Sequence, residues 1–127
     1  MNKDVQKLWI DALESGRWLQ TKDVMKISHE GQNYHCCLGV LSELWVAQDP
    51  ECTMEMMYAS FDTASLKRSI LKWAGGDLRE YRELAFCNDA GMSFLEIADI
   101  LRRLPETEEN EFIRNERDMW HEKQRLR

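Results

Sequence analysis

Long apolar runs are absent from this sequence of 127 residues. A membrane-spanning helix needs roughly 20 consecutive apolar residues, and no run approaches that length. The first residues also lack the basic start and the apolar stretch of a signal peptide. We therefore expect a cytoplasmic protein that does not bind or cross a membrane.

Clusters of lysine and arginine are absent before the C-terminal residues, and the formal net charge is −6. Nucleic-acid affinity depends on clustered cationic side chains that displace counterions from phosphates. Direct binding to nucleic acid is therefore not expected. An acidic surface suits a basic protein partner, and it also keeps many proteins soluble without any further role.

Sequence motifs of cofactor and metal sites are missing as well. The chain has no phosphate-binding glycine loop, no His-Glu-x-x-His and no Gly-x-Ser-x-Gly. Its cysteines lack the gap of about two to four residues with which two ligands reach one zinc ion. We expect no metal and no cofactor. The four cysteines, Cys36, Cys37, Cys52 and Cys87, are expected to be free thiols.

Apolar residues recur with helical spacing through most of the chain. The first helix is expected to begin at Asn2 or Asp4 and to end at Gly16. Further helices are expected over residues 36–48, 63–74, 78–85 and 93–105, the last one opened by a Ser-x-x-Glu capping box. The fold class is therefore mainly α. We expect a compact helical domain of residues 1–105, followed by a C-terminal helical extension of residues 106–127.

Weak alternation of apolar and polar residues predicts at most a small sheet of two or three strands between residues 24 and 60. A hairpin is expected over residues 25–36, and a further strand over residues 52–58. Gly39 is interpreted as a point of close approach inside a helix. The pair Asn88-Asp89 is interpreted as a turn before the capping box, because both residue types hydrogen-bond well to their own backbone.

The adjacent pair Cys36-Cys37 begins the second expected helix and has two interpretations. Buried thiols are simply small core side chains. At a helix N-terminus, however, either thiol could become a thiolate nucleophile, because the helix dipole favours the anion. Such an enzyme would also need a base and an orienting group. The residues available for these roles are His29, His35, His121, Asn88 and Asp89.

Residues 106–127 change from acidic to basic along the chain, which suits the dipole of a helix. Their apolar residues recur at every seventh position and form a narrow seam: Phe112, Ile113, Met119, Trp120 and Leu126. A seam of this width packs against one neighbour. That neighbour is a partner protein, a second copy of the chain in a homodimer, or the chain's own domain. The spacing leaves these three alternatives open.

Two segments resemble a family of small bacteriophage and prophage proteins that have no assigned reaction. They are Cys-Cys-Leu-Gly-Val-Leu at residues 36–41 and Asn-Asp-x-Gly-x-Ser-Phe-x-x-Ile-Ala at residues 88–98. The resemblance extends over residues 7–104 and includes the tryptophan-bearing helix that is followed by glycine at Trp73. The chain departs from the family at residues 100–102, where the usual Ile-Glu pair is missing. The helix after Pro105 is not part of the family pattern.

The resemblance implies an origin and a class of function. Small acidic phage proteins often obstruct a host enzyme or a bacterial defence complex. We therefore expect a phage-encoded accessory protein that binds a host or bacterial-defence protein in the host cytoplasm, acts as an inhibitor and catalyses no reaction itself. The apolar seam would make the contact. The alternative is a small thiol-dependent hydrolase or transferase that uses Cys36 or Cys37.

Overall fold

The computed structural model of the protein describes residues 1–48, 66 and 68–127. These residues form six α-helices: α1 (Lys3–Glu14), α2 (Cys37–Gln48), α3 (Arg68–Ala74), α4 (Leu78–Ala90), α5 (Phe94–Arg102) and α6 (Glu109–Arg125). Three short strands accompany them: β1 (Leu19–Gln20), β2 (Lys26–His29) and β3 (Gln32–His35). The prediction of a mainly α fold with a small sheet and a C-terminal helix is confirmed. None of the described helices is both long and apolar enough to span a bilayer.

Some sequence predictions concern residues that the structure does not describe. The helix start at Thr63, the strand over residues 52–58 and the state of Cys52 lie outside the described residues. They stay predictions.

Local side-chain chemistry determines the helix ends. Oδ1 of Asn2 accepts hydrogen bonds from the backbone N–H groups of Asp4 (2.9 Å) and Val5 (3.2 Å), so Asn2 caps α1. Ser93 and Glu96 form the expected capping box at the start of α5. α1 and α5 therefore begin where short-range sequence signals place them.

The sheet has the strand order β1-β3-β2. β2 and β3 form the expected antiparallel hairpin, in which Ile27 lies opposite Tyr34. β1 pairs with β3 in parallel, with Leu19 opposite Tyr34, and it precedes residue 24. The predicted range for the sheet was therefore too narrow. A strand of two residues is too short to show alternation, and its partner lies elsewhere in the chain.

The core is built around α1, which packs mainly against α5 and also against α2. Trp9 of α1 and Tyr81 of α4 are fully buried, and their rings stack with centroids 6.1 Å apart. Gly39 of α2 lies directly against the backbone just before β2, where a Cβ atom would overlap the carbonyl oxygen of Met25. The expected close approach at Gly39 is confirmed.

α4 is longer than expected, because it continues through Asn88 and Asp89 to Ala90. The interpretation of Asn88-Asp89 as a turn was wrong. The Asn88 side chain finds its hydrogen-bond partners in other elements, so it does not compete with the helical backbone. The chain turns instead at Gly91, whose φ of 115° lies in the left-handed region that glycine adopts without strain.

Candidate functional site

Asn88 connects the two segments, residues 36–41 and 88–98, that stand out in the sequence. Its side chain is fully buried. Oδ1 accepts hydrogen bonds from the Cys37 backbone N–H (3.1 Å) and from Nε2 of Gln20 (2.9 Å), and Nδ2 donates to the Thr21 carbonyl oxygen (2.8 Å). Both polar atoms of the amide are paired. Asn88 therefore holds β1 and α2 against α4.

Gln20 extends this hydrogen-bond network to the start of α5. Its Nε2 also donates to the Met92 carbonyl oxygen (2.8 Å), and its Oε1 accepts a hydrogen bond from the Phe94 backbone N–H (3.2 Å). Oδ1 of Asp89 accepts one from the Asp23 backbone N–H (2.8 Å). These contacts give the second segment an architectural role. Sequence reasoning missed Gln20, because one glutamine in a strand of two residues forms no pattern.

Cys36 and Cys37 are buried free thiols, as expected for small core side chains. Burial raises the pKa of the Cys36 thiol, although the backbone N–H groups of Gly39 and Leu38 act in the opposite direction. Burial raises the pKa of the Cys37 thiol well above its ordinary value. The negative charge of Asp89 adds to the increase in pKa at both thiols. The helix N-terminus therefore does not activate either thiol, and both are protonated at neutral pH.

The three histidines considered as bases have other surroundings than the thiols would require. Nε2 of the buried His35 lies 2.8 Å from Oε1 of Glu43. His29 and His121 are exposed. Asn88 and Asp89 lie close to the two cysteines, but no histidine in the described ranges forms a hydrogen bond with either thiol, so these residues form no nucleophile–base pair. Within those ranges, no group of His, Cys, Asp and Glu side chains is arranged to hold a metal ion.

The C-terminal helix α6 packs against α4. Ile113 is fully buried in the core. Glu83 of α4 is almost buried and pairs with Arg117 (2.6 Å) and Arg114 (3.2 Å) of α6. The chain's own domain is therefore one neighbour of the predicted seam. The division of the chain at residue 105 stays a prediction.

The predicted seam has a covered part and an exposed part. Phe112 and Trp120 pack against the core while remaining partly accessible, and Ile113 belongs to the core itself. Met119, in contrast, is 51% exposed and Leu126 is 81% exposed. The five residues therefore do not form one surface, and only the last part of α6 offers apolar side chains for an external contact.

An open groove of about 450 Å³ lies between α5 and the C-terminal half of α6. Trp120 lies in this α5–α6 groove, and its indole Nε1 donates a hydrogen bond to Oε2 of Glu96 (2.8 Å). Arg103, the residue after α5, donates through both Nη atoms to the carboxylate of Glu116 of α6 (2.9 and 3.0 Å). The apolar lining consists of Met92, Leu95, Ile100, Met119 and Trp120.

The apolar side chains of the α5–α6 groove come from both helices. Leu95 of α5 is 61% exposed, and Met119 of α6 is 51% exposed. Single exposed apolar side chains are common on protein surfaces. Exposed apolar side chains that meet beside a tryptophan in a concave groove are typical of a binding site. The groove is therefore the candidate functional site.

The N-terminal part of the chain matches a family model described as Domain of unknown function (DUF8296), over residues 1–82. The chain belongs to this family. The DUF8296 segment includes α1, the sheet, the two cysteines at the start of α2 and the beginning of α4. The α5–α6 groove lies after the matched residues. No curated protein and no solved structure shows significant similarity to the chain.

Proposed function

We propose that this chain is a phage-encoded accessory protein that binds a host or bacterial-defence protein and alters its activity without catalysing a reaction. Binding takes place in the cytoplasm of the host cell, through the α5–α6 groove. The observation that carries the proposal is the exposure of Leu95 and Met119 on opposite walls of the groove that contains Trp120.

A partner that covers the groove would remove this apolar surface from water. A leucine or methionine side chain contributes roughly 1.5–3 kcal/mol when it passes from full exposure to full burial. Since Leu95 and Met119 are already partly covered, each would contribute about half of that amount. Trp120 is held by its hydrogen bond to Glu96, so little side-chain entropy is lost when a partner packs on it.

The environment of the two thiols favours a binding function over that of a thiol-dependent hydrolase or transferase. Cys36 and Cys37 are buried, and burial raises the pKa of both. The described histidines form no hydrogen bond with them that would create a nucleophile–base pair. The resemblance to small phage proteins and the net charge of −6 agree with an inhibitor that acts by contact.

Site-specific photocrosslinking in bacterial cells that produce the full chain tests the proposal. A photoreactive phenylalanine analogue replaces Met119 in the groove. As a matched control it replaces Ile27 on β2, which is 48% exposed and does not line the groove. We expect one host protein to be crosslinked through position 119 and not through position 27. The purified chain should then change the activity of that protein.

Three results would contradict the proposed function. The first is equal crosslinking from positions 119 and 27. The second is crosslinking from Met119 only to another copy of the chain, which would indicate the homodimer instead. The third is turnover of a substrate by the purified chain that is lost in Cys36→Ala or Cys37→Ala.

A further inference from the structure

The α5–α6 groove carries cations that form no ion pair with another described residue. Lys123 and Arg127 line the groove. Lys22 approaches it from the loop after β1, because a Cβ atom on Gly91 would lie 3.4 Å from both Nζ of Lys22 and Cη2 of Trp120. In the part of the chain that the structure describes, these three cations form no ion pair. We refer to Lys22, Lys123 and Arg127 as the unpaired cations.

The carboxylates of the same groove already have partners. Glu96 accepts hydrogen bonds from a backbone N–H through Oε1 (3.0 Å) and from the Trp120 indole through Oε2 (2.8 Å). Asp99 and Glu116 both pair with Arg103, at 2.9 Å each. The carboxylates of the groove are therefore already hydrogen-bonded or ion-paired within the chain. A molecule that enters the groove can pair with the three unpaired cations.

The contacts between the helices show where these charges lie along the groove. Trp120 contacts Glu96, and Glu116 contacts Arg103, so α5 and α6 run antiparallel. The ion pairs of Arg103 with Asp99 and Glu116 lie at one end of the groove. The carboxylate of Glu96 lies beside Trp120, where it accepts hydrogen bonds from uncharged N–H groups. The unpaired cations lie near Trp120 and beyond it, at the other end. The three unpaired cations outnumber the one carboxylate of Glu96 there, so an occupant would meet apolar surface in the middle of the groove and an excess of positive charge at the Trp120 end.

We propose that the partner segment bound in the groove is acidic. An apolar side chain of that segment packs on Trp120 between Leu95 and Met119, and neighbouring carboxylates pair with Lys123 and Arg127. This inference rests on the proposed function and specifies the chemistry of the partner. The apolar contact supplies most of the affinity, while the charge pairs determine orientation and selectivity.

The net charge of −6 has less effect on a short acidic peptide segment than on a long polyanion. Salt limits charge interactions to about 8 Å at physiological ionic strength, so a carboxylate in the groove responds chiefly to the cations beside it. A nucleic acid would extend its phosphates over the acidic surface around the groove. It would also make little use of the apolar lining. These observations favour a protein segment over RNA or DNA.

A pair of short synthetic amphipathic peptides tests the proposed acidity. Both peptides have the same apolar positions, but one has glutamate and the other has lysine at every polar position. Binding of each fluorescently labelled peptide to the full chain is measured by anisotropy at several salt concentrations. We expect the glutamate peptide to bind about tenfold more tightly, and its affinity to fall as the salt concentration rises.

Two variants of the last turn of α6 form a matched pair. Lys123→Gln removes a cation that lines the groove, and Arg125→Gln removes an exposed cation of the same turn that does not. Both remove one positive charge near the helix C-terminus, so their effects on the helix dipole are similar. We expect Lys123→Gln to weaken binding of the glutamate peptide about two- to fivefold. Arg125→Gln should leave it unchanged.

Several outcomes would overturn the inference. They are equal or tighter binding of the lysine peptide, no effect of Lys123→Gln, no binding of the glutamate peptide, or preferential binding of an RNA or DNA oligonucleotide. A Met119→Ser variant shows whether only the proposed acidity of the partner is wrong or the proposed function is wrong as well. If Met119→Ser weakens the binding of both peptides equally, the groove binds protein segments and only the proposed preference for acidic segments is wrong. If Met119→Ser has no effect and position 119 crosslinks no host protein, the proposed function is wrong too.

Discussion

Gly39 faces the backbone of Met25 so closely that α2 has no room for a side chain at this position. We expect Gly39→Ala to lower the free energy of unfolding by about 3 kcal/mol, because the new Cβ pushes α2 away from the backbone carbonyl. In an ordinary helix interior the same change is stabilising by about 1 kcal/mol. The sign of the effect in urea unfolding therefore tests the contact.

Gly31→Ala is the control for Gly39→Ala. Gly31 has a φ of +79°, but no neighbouring atom lies within 4 Å of the position that a Cβ atom would take. Gly31→Ala should lower the free energy of unfolding by only roughly 1–2 kcal/mol, which is the cost of a left-handed backbone conformation for an alanine. A Gly39→Ala chain at least as stable as the wild type would show that α2 does not contact the Met25 backbone in solution.

The loss of Asn88 should disturb several elements at once, because its side chain bonds to β1, to the residue after β1 and to α2. Asn88→Ala leaves the buried Cys37 N–H and the part-buried Thr21 carbonyl without their partners. We expect the free energy of unfolding to fall by about 2–4 kcal/mol, because unsatisfied buried polar groups lose the hydrogen bonds that they make with water in the unfolded chain. Urea unfolding measures the change.

The neighbouring residue gives a matched control for Asn88→Ala. Asp89→Asn keeps the oxygen that accepts the Asp23 N–H, so its effect should stay within about 0.5 kcal/mol. If Asn88→Ala were no more destabilising than Asp89→Asn, the network around Asn88 would not contribute to stability.

At the scale of secondary-structure elements, α6 combines structural and exposed residues. Ile113 is fully buried, whereas Leu126, just after the helix, is 81% exposed. We expect Ile113→Ala to lower the free energy of unfolding by about 2–5 kcal/mol, because it leaves a cavity between α6 and the core. Leu126→Ala should change it by less than about 0.5 kcal/mol. Thermal and urea unfolding of the two variants give the comparison, and equal effects would contradict the packing of α6.

The first turns of α4 and α6 meet at two carboxylates, Glu80 and Glu109. The amino group of Met1 lies 3.5 Å from Oε1 of Glu109. Burial, with a further contribution from Glu109, raises the pKa of Glu80 to about 7, although the amino group acts in the opposite direction. A group with this pKa changes its protonation in the range of physiological pH.

The raised pKa of Glu80 predicts how stability depends on pH. Between its ordinary pKa of 4.5 and its value of about 7, the folded chain holds more protons at Glu80 than the unfolded chain. Protonation of Glu80 therefore stabilises the folded chain relative to the unfolded chain. This contribution to stability is fully present at low pH and is lost as the pH rises through about 7. The wild type should therefore lose stability relative to Glu80→Gln between about pH 5 and about pH 8.

Urea unfolding of the wild type and Glu80→Gln at both pH values measures this difference. Glu111→Gln, in the same first turn of α6 as Glu109 but exposed, serves as the control. The free energy of unfolding of Glu111→Gln should change with pH in the same way as that of the wild type. Parallel pH profiles of Glu80→Gln and the wild type would mean that Glu80 titrates normally in the folded chain.

At the scale of the whole molecule, the sequence was informative where structure depends on nearby residues. The helix start at Asn2 or Asp4, the capping box and the close approach at Gly39 were all predicted, because each follows from a few neighbouring residues. The turn at Asn88 was predicted wrongly. Its partner, the Cys37 N–H, lies 51 positions away, and such a distant contact outweighs the local preference of asparagine for turns.

The α5–α6 groove could be predicted only in part. A period of seven residues placed Met119 and Trp120 on one stripe of the C-terminal helix. It could not show that Ile113 is buried in the core, nor that α5 supplies Leu95 to the groove. Those properties depend on how α4, α5 and α6 are arranged in space, and the pattern within one helix carries no information about that arrangement.

The packing of α1 against α5 has a consequence for the nascent chain on the ribosome. Nε2 of Gln6 donates to the Leu101 carbonyl oxygen, 95 residues further along the chain. At a translation rate of about 5–20 residues per second, α1 waits roughly 5–20 s for this partner. During that interval the face of α1 that packs against α5 in the folded chain is available to a chaperone. The groove needs both α5 and α6, so the partner-binding surface is the last part of the chain to be synthesised, after both packing partners of α1 have left the ribosome.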